Sequence, residues 1–201
     1  MQTKAIARNY LVQFGSRVVA VTLGLVTLAI MTRALGDTGF GQFTTAVTYL
    51  QVVAVVVDLG LTLVFIQMIS KPGADEDRIA SALLGLRLLS NTLVFSAAVL
   101  LAFLTPYELV IKLAIAAGAI GYLALSTSGM LTGFFQKHLA MSRAAVAEIL
   151  NRVLALILII FTARAGYGVV AFVSILAFTN ILQMLILIIF AQPLTRMRPT
   201  L

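Results

Sequence analysis

Asn9–Gln67 reads NYLVQFGSRVVAVTLGLVTLAIMTRALGDTGFGQFTTAVTYLQVVAVVVDLGLTLVFIQ, and the spacing of its charges decides the fold. Between Arg8 and Arg33 the only charged residue is Arg17, and between Asp37 and Lys71 the only one is Asp58. A bilayer core about 30 Å thick is crossed by about 20 apolar residues in a helix. The stretch therefore predicts two membrane-spanning helices, over about residues 11–32 and 43–66. The turn between them, ALGDTGFG at Ala34–Gly41, holds three glycines that reach positive φ without steric penalty. A phosphate-binding glycine loop would need a strand before it, and none is expected here. Placing Arg17 and Asp58 inside apolar segments costs about 2.5–3.5 kcal/mol each on insertion scales, which asks for a functional reason.

The rest of the chain has the same character. Of its 201 residues 61% are hydrophobic and 10% charged, and the mean hydropathy is +1.09, the composition of an integral membrane protein rather than a soluble domain. The first apolar run is too long for a cleaved signal, so none is expected. There is no cysteine, which removes disulfide and thiolate chemistry, and the lone His138 cannot by itself form a histidine metal site. The net charge of +7 comes from basic residues scattered singly between apolar runs. That arrangement fits membrane orientation and not nucleic-acid binding.

Charges and prolines punctuate four more predicted spans, at about 79–104 (interrupted by Arg87), 113–135, 144–163 (carrying Glu148 and Arg152) and 169–191, which has no charge. The expected fold is an all-α integral membrane bundle of six transmembrane helices, one lobe covering residues 1–201. Gly118, Gly121, Gly129 and Gly133 in the fourth span suit a close helix crossing. The mixed cluster Asp75–Arg78 (DEDR) reads as a solvated loop, and no paired carboxylates, activated nucleophile or metal cluster appears in the short aqueous segments, so an enzyme is not expected. With both termini cytoplasmic, Lys4, Arg8, Lys71, Arg78, Lys137, Arg143, Arg196 and Arg198 fall inside against Arg33, Lys112 and Arg164 outside, as the positive-inside rule favours.

On this topology Arg17, Asp58, Arg87, Glu148 and Arg152 all lie in the cytoplasmic half of the membrane, about 6–12 Å deep. Intramembrane charges usually face a bundle interior or a water-filled cavity, so they predict a polar vestibule open to the cytoplasm. Glu148 and Arg152, four residues apart, can pair along one helix face, and Asp58 can balance Arg17 or Arg87. The five charges sum to one positive charge, and guanidinium forks suit phosphate oxygens. An anion is the natural missing partner. Asn9, Gln13, Gln51, Asn91, Thr92 and Asn151 can extend the vestibule or join helices.

The opening asparagine before a helix with a glycine and an arginine, the turn LGDTGFGQF, the DLGL at Asp58–Leu61 and the run GFFQKHLAMSRAAVAEILNRVLALIL at Gly133–Leu158 resemble polysaccharide biosynthesis flippases of the multidrug/oligosaccharidyl-lipid/polysaccharide exporter superfamily. The resemblance implies a bacterial or archaeal cell-membrane protein. Its activity would be to move an undecaprenyl-diphosphate-linked oligosaccharide, such as an O-antigen precursor of lipopolysaccharide, to the outer leaflet by alternating access of two lobes. Carried over, it gives Arg17 and Arg87 the diphosphate and makes Asp58 their orienting partner. This chain matches one lobe, the N-terminal one, so it is expected to be a fragment or truncated reading frame of a two-lobe transporter, or a half-transporter whose partner is a second lobe or a homodimer, alongside membrane lipid and a polysaccharide polymerase or glycosyltransferases. No cofactor is implied beyond H+ or Na+ coupling. The competing readings are a multidrug/cation antiporter lobe using Asp58 as its cation site, and a non-transporting membrane scaffold for polysaccharide assembly.

Overall fold

A computed structural model describes residues 2–58, 61–71 and 75–192, with side chains from Phe14 onward apart from Leu61. Asn9 and Gln13 thus lie outside the described side chains, as do Lys4 and Arg8, and the tail arginines Arg196 and Arg198 lie outside the described residues. The chain is an all-helical bundle, with no strand among the described residues. Its elements are α1 (Gln2–Asp58), α2 (Leu61–Ile69), α3 (Glu76–Leu104), α4 (Leu109–Lys137), α5 (Met141–Arg164) and α6 (Val169–Ala191).

Five helices are long and apolar enough to cross a membrane, not the six separate ones expected, because the first two run together as Phe14–Ile69. The reason is local to Gly36. Its φ of 63° and ψ of −176° are non-helical values inside an otherwise helical stretch, in a region essentially open only to glycine. Two helices meet there with no loop, whereas the sequence suggested a turn spread over residues 34–41. Of the three glycines in that segment only Gly36 takes positive φ. A straight helix the length of α1 would reach about 85 Å at 1.5 Å per residue. Instead Arg17 shares one cavity with Phe43 and Val47, so the chain folds back at Gly36 into a first arm (residues 2–35) and a second arm (residues 37–58).

Packing between helices then follows the small residues. In lipid there is little hydrophobic drive between helices, and close van der Waals fit replaces it. A Cβ added at Gly121 would lie 2.4 Å from the Ala177 Cα of α6, and one at Gly118 would lie 2.5 Å from Leu50 Cδ1 of the second arm. The α4 axis is thus held against both neighbours where it lacks side chains. One buried cluster gathers Phe43, Leu50, Ile115, Phe172 and Val173, and another gathers Phe65, Ile69, Phe134, Phe135 and Leu187. Large apolar side chains such as Phe14, Leu63 and Leu104 point outward, as the lipid-facing side of such a bundle requires.

At the α2–α3 end, Asp75 caps α3 by accepting from the Arg78 backbone N–H at 3.1 Å. Glu76 accepts from Lys137 Nζ at 2.5 Å and meets His138 Nε2 at 2.9 Å, while Lys137 also donates to the Ile69 carbonyl. The acidic cluster read as a solvated loop is therefore the start of a helix, and its glutamate ties α3 to the end of α4.

Candidate functional site

Among the described residues, two ion pairs involve the charges that interrupt the apolar runs. In the first, Arg87 of α3 is only 3% exposed, and its Nη2 lies 2.6 Å from Asp58 Oδ1 at the end of α1. Nη2 also donates to the Ser126 carbonyl of α4 at 3.3 Å, and Thr62 of α2 donates to the same Asp58 oxygen at 2.9 Å. The side chain thereby ties three segments of chain together. Its Nε and Nη1 have no hydrogen-bond partner among the described residues. This group lines a cavity of about 750 Å³ with Gln51, Tyr122 and Gly129.

In the second pair, Arg17 of the first arm lies 3.7 Å from Glu148 of α5. Arg17 is largely exposed at 73% and Glu148 is 25% exposed, which makes this a looser contact than the first. Glu148 therefore pairs across helices, and not with Arg152 one turn along its own helix as the spacing suggested. Arg152 instead extends toward Gly24 of the first arm, where an added Cβ would lie in ordinary contact with its Nη1 at 3.9 Å. Among the described residues Arg152 has no hydrogen-bond or ion-pair partner. It is the cation left over after both acids are paired.

Arg17, Glu148 and Arg152 line a cavity of about 300 Å³ whose α5–α6 wall carries three amides among small and apolar residues. Asn151 Nδ2 donates to Gln183 Oε1 at 2.5 Å and to Asn180 Oδ1 at 3.3 Å, while Asn151 Oδ1 is buried without a partner. The two cavities share Tyr122 and Leu125 of α4.

The expected vestibule is therefore divided. Arg17 and Arg87 do not converge on one spot, and Asp58 orients Arg87 alone. Gln51 lines the Arg87 cavity beside Tyr122, whose hydroxyl donates to the Val47 carbonyl at 3.4 Å. Asn91 is fully buried and serves the α3–α4 contact through Thr127, Ser126 and the Leu123 carbonyl. Thr92 donates to the Leu88 carbonyl and lines a separate groove with Phe95 and Ser96, away from the charges. A further cavity of about 840 Å³, between the second arm and α3, is lined by valines, alanines, threonines and two tyrosines, with no charged side chain.

Sequence reasoning missed Asn180 and Gln183. Both sit on a span read as uncharged, three residues apart and so on one face of the helix, and that spacing was the available signal. Among the described residues, no group of three or more His, Cys, Asp or Glu converges as a metal site would need.

The sequence pattern described as "Polysaccharide biosynthesis protein" matches residues 6–197. No curated protein and no solved structure matches the chain.

Proposed function

Because the chain belongs to the polysaccharide biosynthesis protein family, we propose that it is one lobe of a flippase that carries a lipid-linked oligosaccharide, joined through undecaprenyl diphosphate, from the cytoplasmic to the outer leaflet. The observation that carries this reading is Arg152. It is a guanidinium inside a membrane-spanning helix with no partner among the described residues, beside the Arg17–Glu148 pair in a cavity of about 300 Å³. An isolated cation at that depth is expensive, and a diphosphate supplies what it lacks, accepting forked hydrogen bonds from Arg152 and Arg17. Both carboxylates are held by arginines, which disfavours the alternative of a bare cation site for an antiporter.

The termini are assigned to the cytoplasm by the bias of basic residues, which puts this cavity within reach of the leaflet where the substrate is made. Alternating access rocks two repeats about a central site, so the working unit includes a second lobe. The test scores outer-leaflet lipid-linked sugar in a flippase-null strain expressing the chain. Export is expected, falling at least tenfold in Arg152→Ala and Arg17→Ala at unchanged membrane levels, the loss of a charge-assisted hydrogen bond being about 1.5–3 kcal/mol. Export that survives both substitutions would remove the cavity from the mechanism. Stable insertion with no export would favour the scaffold reading.

A further inference from the structure

The Asn151–Asn180–Gln183 cluster is more elaborate than helix adhesion needs. One amide pair is enough to join α5 to α6, yet here three amides meet and leave the buried Asn151 Oδ1 without a donor. The NH2 groups of Asn180 and Gln183 likewise have no partner among the described residues. The cluster thus sets the NH2 groups of Asn180 and Gln183 on one wall of the cavity that holds Arg17, Arg152 and Glu148, and the side-chain oxygens of these two residues, each taking one hydrogen bond from Asn151, keep a lone pair to accept with.

Amides combine two donors with an acceptor, and a sugar hydroxyl is both donor and acceptor, so the two satisfy each other in a way that a phosphate or a hydrocarbon chain cannot. A glycan linked through a diphosphate carries both chemistries on adjacent atoms, anionic oxygens and then a ring of hydroxyls. The cavity presents cations and amides side by side in the same way. At about 300 Å³ it lies at the lower limit of ligand pockets, with room for one ring beside the phosphates and not for an oligosaccharide. We propose that Asn151, Asn180 and Gln183 form a subsite that reads the hydroxyls of the first sugar, the ring joined directly to the diphosphate. This rests on the flippase reading above and adds to it the element that selects among substrates: sugars farther along the glycan go unread at this site.

The experiment measures binding to the full chain in lipid nanodiscs, using a short-chain prenyl diphosphate as one probe and the same prenyl diphosphate bearing a single hexose as the other. The quantity is the ratio of the two affinities within each protein. In the wild type the sugar is expected to tighten binding at least tenfold. Asn180→Leu and Gln183→Leu should each bring that ratio close to one, whereas Arg152→Ala weakens both probes and keeps the ratio. Each leucine variant leaves Asn151 Nδ2 one of its two acceptors across the α5–α6 contact, and thermal unfolding of each variant separates a lost subsite from a loosened bundle. A sugar that adds nothing in the wild type, or leucine variants that keep the increment, would overturn the subsite while leaving the diphosphate reading standing. Failure of both probes to bind would overturn both.

Discussion

Replacing Gly121 by alanine adds one methyl group in the place where the bundle has least room for it. That Cβ would sit 2.4 Å from the Cα, 2.7 Å from the Cβ and 3.3 Å from the backbone nitrogen of Ala177. Unstrained carbon contacts need about 3.5–4.0 Å, so α4 and α6 must part locally by about 1 Å or more. The obstruction is backbone, which has no rotamer to escape into, and the strain belongs at the upper end of the usual overpacking range, about 3 kcal/mol. Gly→Ala in a helix interior returns about 1 kcal/mol, for a net loss near 2 kcal/mol. At Gly129 an added Cβ meets nothing within 4 Å, so the same substitution should give only the gain of about 1 kcal/mol. The two variants should thus differ by about 3 kcal/mol, roughly a hundredfold in the unfolding equilibrium. Gly118→Ala should fall between them, since its nearest obstacle is the movable tip of Leu50 at 2.5 Å. The assay is reversible unfolding in mixed micelles titrated with a denaturing detergent and followed by circular dichroism. A Gly121→Ala protein as stable as the wild type would refute the close crossing of α4 and α6.

The Asp58–Arg87 pair should be asymmetric: Asp58→Asn leaves a guanidinium only 3% exposed without its counter-charge and should cost about 3 kcal/mol in the same assay, while Asp58→Asn combined with Arg87→Met should recover much of that loss. Equal stabilities for the single and double variants would contradict the burial of Arg87. Gly36→Ala forces a side chain into φ 63°, ψ −176°, with an expected loss of about 1–3 kcal/mol; an unchanged unfolding midpoint would mean that the chain does not reverse at that residue.

The membrane-spanning character of the chain was legible because charges interrupt apolar runs at bilayer intervals, and that signal depends only on composition. Where the first two spans join was not legible in the same way. Gly36, Gly39 and Gly41 are equivalent as letters, and only packing selects Gly36 for the reversal. Charge pairing failed for a related reason. Glu148 and Arg152 are neighbours along α5 in any helix, but Arg17 reaches Glu148 only once the first arm lies beside α5, a fact of tertiary structure. The net single positive charge of the five was correct from counting, whereas the identity of the unpaired residue was not countable. Asn151 was legible as a polar residue in an apolar span, but Asn180 and Gln183 join it only across the α5–α6 contact, again a fact of tertiary structure. In Asp75–Arg78 the sequence shows polarity but not that Asp75 caps a helix and Glu76 grips Lys137.

The loopless junction at Gly36 also has a mechanical side. A flexible connection of several residues absorbs relative movement of the rods it joins, but a single residue transmits it, because only two backbone bonds are available to turn. Arg17 lies about 28 Å along the first arm from Gly36, so a rotation of about 5° there displaces the arginine by about 2.5 Å, close to the difference between a hydrogen bond and no contact. With the second arm packed on α4 through Leu50 and Gly118, Gly36 can serve as a fulcrum. Small adjustments at one membrane face would then set the width of the Arg17 cavity toward the other end of the arm, with both helices remaining intact.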